Sequence, residues 1–308
     1  MKIVFMGTPD FAVPILEGLI QKYDVVGVVS QPDKKVGRHQ ELKMTPIKEL
    51  ALKNGIKVFQ PEKIREDYQD ILDLNPDIII TCAYGQIIPK VILDFPRLGC
   101  INVHASILPK LRGGAPIHRA IMEDYAKTGI TIMYMDTKMD NGDIIAVKET
   151  PIKGTDNLET LHDRLSQMGK ELLLDTLPAI IDGTNQRIKQ DENEVTYAYN
   201  IKREEEHIDF TKSSREIFNH IRGLSPFPSS YALLDDVEIK IFNSYMGQKT
   251  FDAIPGEICF IYTDGLGICT GDGEIVITEL KVAGKKRMSV RDYLNGVKKD
   301  MLLGKVFR

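Results

Sequence analysis

A chain of 308 residues exceeds the usual size of one domain, so two domains are the natural expectation. Hydrophobic residues at 43% and charged residues at 27% exclude wholesale disorder, and the longest apolar runs, such as Ile78-Ile79-Ile80, are too short to span a bilayer. The formal charge of −4 hides an asymmetry, because residues 281–308 carry nine Lys or Arg against Asp292 and Asp300.

The first strand-like run, 2–6, follows directly on Met1 without a signal-peptide pattern, which gives the expectation of a cytoplasmic protein with no membrane partner. Strand-like runs at 2–6, 25–30, 77–82, 99–103 and 129–135 alternate with helix-like stretches near 10–21, 45–53, 62–74, 86–93 and 115–124. Pro14 should fall in the first turn of its helix. This rhythm predicts an α/β fold, a Rossmann-like, mostly parallel sheet with helices on both faces.

After a strand at 144–149, Leu158, Leu161, Leu165, Met168 and Leu172 recur at three- and four-residue steps and predict a helix over 157–181. The polar stretch 182–206 then reads as a connection. The division expected is a first domain of 1–188, a linker of 189–206 and a second domain of 207–308. In the second, a helix near 213–222 precedes short strands at 231–234, 237–243, 256–262, 266–270 and 274–281, joined by turns such as Thr263-Asp264-Gly265. Five short strands with tight turns suggest a small OB-like β-barrel, and the basic tail after it is a candidate contact for a polyanion, nucleic acid first. A solvated surface rich in Lys accounts equally well for that charge.

The residues with the clearest chemistry are Asn102 and His104, at a predicted strand end followed by a Gly/Pro loop, and Asp140 in the turn Asp140-Asn141-Gly142-Asp143. An amide can donate to an oxygen gaining negative charge, an imidazole can carry a proton or donate, and a carboxylate can orient that imidazole and favour its charged form. Such a set suits attack by an amine on a carbonyl. Ser106 and Cys100 are the only nearby nucleophile candidates, and nothing pairs either with a base, so direct transfer is favoured over an acyl-enzyme. Each polar residue taken alone is more often a satisfied structural group. Their common place at strand ends, where open α/β sheets gather their sites, favours function.

Other motifs point away from rival chemistries. Gly7-Thr8-Pro9-Asp10 occupies the place of a dinucleotide-binding turn but lacks the GxGxxG spacing, and no phosphate-binding P-loop pattern occurs. Cys82, Cys100, Cys259 and Cys269 show no CxxC spacing and read as buried free thiols, and the histidines lack metal-type spacing, so no metal is expected. Residues 31–43 form a polar loop with Lys34, Lys35, Arg38 and Lys43, suited to touching a phosphate backbone. A flexible exposed connection is the alternative.

The Asn102…His104 pair, the 106–117 segment and Asp140 together resemble the signature of the 10-formyltetrahydrofolate-dependent formyltransferases. The opening Val4-Phe5-Met6-Gly7-Thr8-Pro9-Asp10-Phe11-Ala12, the Ser30-Gln31-Pro32-Asp33 loop with Gly37-Arg38, and the Ala83-to-Pro89 turn narrow this to the branch acting on methionyl-tRNA. The resemblance covers essentially the whole chain. It implies a catalytic trio of Asn102, His104 and Asp140, with 10-formyltetrahydrofolate as formyl donor and methionyl initiator tRNA as acceptor. The folate would lie along Ala83, Tyr84, Gly85, Gln86, Ile87 and Ile88 and beside Ser106, Ile107, Leu108 and Pro109. Arg38 would enter the acceptor end of the tRNA, with Lys34, Lys35, Lys43, Lys285, Lys286 and Arg287 as further contacts of a monomeric enzyme. Ile107 and Leu111 stand where Leu and Tyr are more common, and Glu41 where a basic residue is. The trio alone does not separate this branch from formyltransferases acting on a sugar amine or glycinamide ribonucleotide. A non-catalytic tRNA-binding module is the remaining alternative.

Overall fold

The structure, a computed structural model, describes residues 1–36 and 40–308; Arg38 lies outside the described residues. The chain divides into two compact units. The first comprises Met1–Pro116, Lys127–Pro151 and His162–Tyr199, the second Ile117–Ala126, Ile152–Leu161 and Asn200–Arg308.

The first unit is built on a seven-stranded sheet. In chain order its elements are β1 (Lys2–Gly7), α1 (Val13–Lys22), β2 (Asp24–Val29), the hairpin β3 (Lys34–Val36) and β4 (Glu41–Lys43), α2 (Pro46–Lys53), β5 (Val58–Phe59), α3 (Gln69–Leu72), β6 (Ile78–Cys82), α4 (Lys90–Leu93) and β7 (Cys100–His104). After α5 (Pro116–Met122), which from Ile117 on falls in the second unit, come β8 (Lys127–Tyr134), β9 (Ile144–Pro151) and α6 (Leu158–Ile181), which joins the first unit from His162. The sheet order is β5-β2-β1-β6-β7-β8-β9. Pairings up to β7 are parallel and the last two antiparallel, giving the mostly parallel Rossmann-like sheet. Ile3, Val4, Phe5 and Met6 are all fully buried, the continuous apolar run expected of a central strand covered on both faces. Because the chain returns from β2 and β5 to place β6 on the other side of β1, the sheet reverses its winding there. Ligand crevices form at the carboxyl ends of strands beside such a point.

Pro14 sits in the first turn of α1, where its missing N–H breaks no helical bond. The helices expected over 62–74 and 86–93 shrink to α3 and α4. Pro89 lacks an amide donor and disfavours helical backbone at Ile88, so α4 starts only after it. The base of the 31–43 loop is clamped: Lys48 Nζ lies 2.6 Å from Asp33 Oδ2, and Gln60 Nε2 donates to Asp33 Oδ1 at 2.7 Å. The Lys48 hydrogen bond, followed by that from Gln60, holds the Asp33 carboxyl below its ordinary value of 3.8. A lowered folded-state pKa contributes stability above the ordinary value, lost as pH falls through the folded value. Asp33→Asn is therefore expected to lower the urea midpoint at pH 7 and to match the wild type once the pH is below both values. A difference that persists unchanged in acid would contradict the clamp.

The second unit contains α7 (Ser214–Leu224), β10 (Ser230–Leu234), β11 (Val237–Met246), β12 (Ile258–Ile261), β13 (Leu266–Cys269), β14 (Glu274–Val282), β15 (Met288–Ser289) and α8 (Val290–Asn295). Ser213 and Glu216 form a reciprocal capping box that starts α7. The antiparallel order is β10-β11-β14-β13-β12, with β15 on β14. The edges β10 and β12 are joined by residues 304–308. Leu233 and Arg308 exchange backbone hydrogen bonds of 2.7 and 2.8 Å, while Ile258 N–H donates to Lys305 O and Phe307 N–H to Gly256 O, each at 2.8 Å. This makes the domain barrel-like around a core that includes Ile239, Ile241, Ile268, Ile277 and Phe307.

Two expectations change here. The basic tail is no tail: residues 281–308 supply β15, α8 and the closing segment, and the buried Phe307 anchors them. The division at 188 and 206 also shifts. Segments 117–126 and 152–161 belong with the second unit, where buried Arg222 donates to the carbonyls of Lys153 (2.9 Å) and Asp156 (3.0 Å), and His118 Nδ1 meets Gly223 O at 2.9 Å. Residues 189–199 group with the first unit instead of linking the two. The four cysteines are free; Cys82, Cys100 and Cys269 are buried, but Cys259 is only half-buried.

Candidate active site

The sequence-predicted trio meets at the carboxyl end of β7. Asn102 and His104 are two residues apart on one strand and so share a face. Asn102 Oδ1 accepts from Thr81 Oγ1 on neighbouring β6 at 2.8 Å. With its oxygen so engaged, the amide turns Nδ2 toward Asp140, whose Oδ1 lies 3.5 Å away.

His104 is buried, and its Nε2 lies 3.0 Å from the Leu111 carbonyl oxygen. A carbonyl only accepts, so Nε2 carries the proton and the neutral ring leaves Nδ1 bare. Nδ1 faces Asp140 Oδ2 at 3.6 Å, too long for a direct hydrogen bond. The orienting group for His104 is therefore the Leu111 carbonyl. Asp140, expected from sequence to orient the ring, lies beside it without a direct hydrogen bond.

Asp140 is itself held by its surroundings. Its Oδ2 accepts from Gly113 N–H at 2.8 Å, and its backbone lies in the left-handed region at φ 49°. Arg112 and its neighbours are fixed by backbone pairing to 196–198: Arg112 N–H donates to Thr196 O at 2.9 Å, and Ala198 N–H donates to Arg112 O at 2.7 Å. Gly113 has φ 126°, and a Cβ there would meet the Ala198 carbonyl oxygen at 2.7 Å, so glycine is required. Sequence reasoning missed Thr81, the Leu111 carbonyl and the Gly113 amide. The Gly113-Gly114 pair was the one visible signal of a close backbone approach.

Both nearby nucleophile candidates turn their hydrogens to backbone carbonyls, Ser106 to Lys110 O and Cys100 to Ile92 O, and not to a base. Ser106 Oγ donates to Lys110 O at 2.6 Å, and burial pushes the Cys100 thiol up to about 12. Among the described residues, no group of three or more His, Cys, Asp or Glu could hold a metal ion, and no helix is long and apolar enough to cross a membrane. The arrangement thus gathers the Asn102 amide donor, the bare Nδ1 of His104 and one carboxylate around a strand end.

Comparison with known proteins accords with this geometry. Residues 1–177 match the formyl transferase family and residues 200–298 the formyl transferase C-terminal domain. A methionyl-tRNA formyltransferase of Bacillus licheniformis is 52% identical over 299 residues, 96% of this chain and 95% of that protein. That of Bacillus mycoides is 53% identical over 305 residues, covering 98% and 97%. The chain belongs to the methionyl-tRNA formyltransferase family. Its fold also matches an N-formyltransferase from Helicobacter canadensis solved with folinic acid and dTDP-3-aminofucose, with a TM-score of 0.68, 22% identity and coverage of 90% and 98%. HypX from Aquifex aeolicus, solved with tetrahydrofolic acid, matches with a TM-score of 0.65 at 16% identity, over 96% of this chain and 47% of that one.

The residues that family resemblance assigned to folate fall into two groups. Tyr84 and Ile88 are core residues beside Val4 and Ile79, Ser106 and Leu108 are buried, and Gln86 spends its amide on Ile64 N–H and Pro61 O. Ala83, Gly85 and Ile87 are exposed, with φ of 48° and 90° at the first two, while Ile107 and Pro109 are half-buried. A flat ligand would therefore meet backbone and Ile87 at this turn rather than the side chains of Tyr84 and Ile88. The residues assigned to tRNA also divide. Lys34, Lys35 and Lys43 are exposed on the β3–β4 hairpin, and Lys285 and Lys286 on the turn before β15. Arg287 is committed to Glu279 through two 2.7 Å bonds and lies over the Phe242 ring at 4.3 Å.

Proposed function

We propose that this chain transfers the formyl group of 10-formyltetrahydrofolate to the α-amine of methionine on initiator tRNA, in the cytoplasm and as a monomer. The observation that carries the proposal is the meeting of Asn102, His104 and Asp140 at one strand end where Ser106 and Cys100 hydrogen-bond backbone carbonyls and not a base. The exposed Ala83, Gly85 and Ile87 at the neighbouring strand end support a folate site.

In this reading the neutral amine attacks the formyl carbon directly. Asn102 Nδ2 and the Nδ1–H of a charged His104 donate to the developing oxyanion, the groups the structure leaves facing Asp140. Asp140 balances the imidazolium charge and, through water, accepts the proton lost by the amine. Collapse breaks the bond to the donor nitrogen, which leaves as a neutral amine by taking back through water the proton held by Asp140, so formyl moves in one addition and one elimination and no net proton is gained or lost.

The acceptor is tested by offering methionyl initiator tRNA, an amino-sugar nucleotide and glycinamide ribonucleotide under the same donor. Formylation of the tRNA alone is expected, and preference for either small amine would overturn the assignment. Exposed lysines on the hairpin support contact with the tRNA backbone. Replacing both Lys34 and Lys35 by Ala should weaken tRNA binding and lower the slope of log affinity against log salt by about 1 to 2. An unchanged slope would remove the hairpin from the interface. Such charge variants are preferable to deleting 207–308, which would strip segments 117–126 and 152–161 of their packing partners.

A further inference from the structure

We propose that Gln190 is a positioning residue for Asp140, and that the segment around it is part of the active-site scaffold; this inference rests on the formyl-transfer reading above. Gln190 Nε2 donates to the backbone carbonyls of Asp140 and Gly142, both at 2.8 Å. Its Oε1 accepts from Arg112 Nε at 3.0 Å and Nη2 at 2.9 Å. A guanidinium has no acceptor, so the amide oxygen must face Arg112 and the NH2 group must face the two carbonyls. Both hydrogens and both lone pairs of the amide are then used. Arg112 is buried and also bonds Glu192 Oε1 at 3.0 Å, and Ile188 pairs with Ile144 at the start of β9.

The connections converge on one short stretch of chain. Leu111 supplies the carbonyl that fixes His104, Arg112 reaches Asp140 through Gln190, and Gly113 holds the Asp140 carboxylate. Asp140 is thus gripped at its backbone by Gln190 and at its side chain by Gly113, the neighbour of Arg112. Locally the exposed run 136–139 is closed by Asp136, which accepts from Lys138 N–H at 2.8 Å and Asn141 Nδ2 at 2.9 Å, but neither bond reaches Asp140 itself, whose backbone carbonyl is held by the Gln190 amide. Small misplacements of a reacting group are enough to cost large factors in rate.

The test compares wild type, Gln190→Ala and Gln190→Glu on methionyl initiator tRNA, each also in an Asp140→Asn background. Gln190→Glu keeps the fork to Arg112 while placing an oxygen against two carbonyls, and it carries the test if the alanine variant does not fold. Either substitution is expected to lower kcat about 10- to 100-fold, with KM for both substrates within about threefold. In the Asp140→Asn background the further loss should be under about twofold, because the two residues act through one group. A kcat near wild type, or the same loss in both backgrounds, would overturn the proposal. Hydrogen exchange across 136–143 gives a readout independent of catalysis: faster exchange is expected in both variants, and unchanged exchange would also overturn it. A wild-type enzyme inactive on the tRNA would instead count against the function, with exchange still reporting on Gln190.

Discussion

His104→Ala is expected to lower kcat on methionyl initiator tRNA by about a hundredfold or more, the usual cost of an oxyanion donor, while tRNA affinity changes by less than about threefold. The basis is geometric. Nε2 is held by the Leu111 carbonyl, so the ring cannot rotate, and Nδ1 is aimed at the space it shares with Asp140 Oδ2 and Asn102 Nδ2. Removing the ring deletes a donor felt only when negative charge develops, so the loss belongs in kcat. Asp140→Asn should give a similar loss by removing the charge beside Nδ1. Near-normal turnover in either folded variant, measured by steady-state kinetics, would sink the assignment of the trio.

Gly142→Ala is expected to have the largest effect on stability, about 2 to 4 kcal/mol, the upper range for forcing atoms into a packed site. A Cβ at this position would stand 1.9 Å from the Tyr134 carbonyl oxygen and 2.8 Å from its carbon. Both are backbone atoms that cannot swing aside as a side-chain end would. The strand cannot simply drift either, since Tyr134 N–H donates to Asp143 O at 2.9 Å and Gln190 grips Gly142 O. The methyl group must open the β8–β9 turn, moving Asp140 two residues away, so turnover should fall as well. Gly154→Ala is the control, because no atom lies within 4 Å of its added Cβ. Equal denaturation midpoints for the two variants would contradict this reading.

The trio was legible because its chemistry is written in side chains placed at the end of a strand whose apolar alternation marks it. The parallel sheet was legible for the same reason: Ile78, Ile79 and Ile80 form a fully buried strand that no surface element would carry. The supports of the trio were not. The Leu111 carbonyl and the Gly113 amide are backbone groups, which every residue possesses, so nothing in their identity marks their use. Gln190 stands in a polar run whose composition suits a solvated connection. Composition does not distinguish a glutamine facing water from one whose four hydrogen-bonding sites are all filled. The basic residues near 281–308 misled in the same way, since their charge drew attention from Phe307 and from the backbone pairing that closes the barrel.

In the proposed reaction Asn102, His104 and Asp140 move a formyl group directly to the amine of methionyl initiator tRNA. Single-turnover formylation measures it most directly, with enzyme in excess over methionyl initiator tRNA and saturating 10-formyltetrahydrofolate, run in parallel with methionyl elongator tRNA. The account predicts rapid conversion of the initiator to formylmethionyl-tRNA, much slower conversion of the elongator, and no formylated protein at any time point. Absence of formylmethionyl-tRNA from folded, donor-supplied enzyme, or a formyl-protein adduct that forms and decays at the rate of product formation, would contradict it.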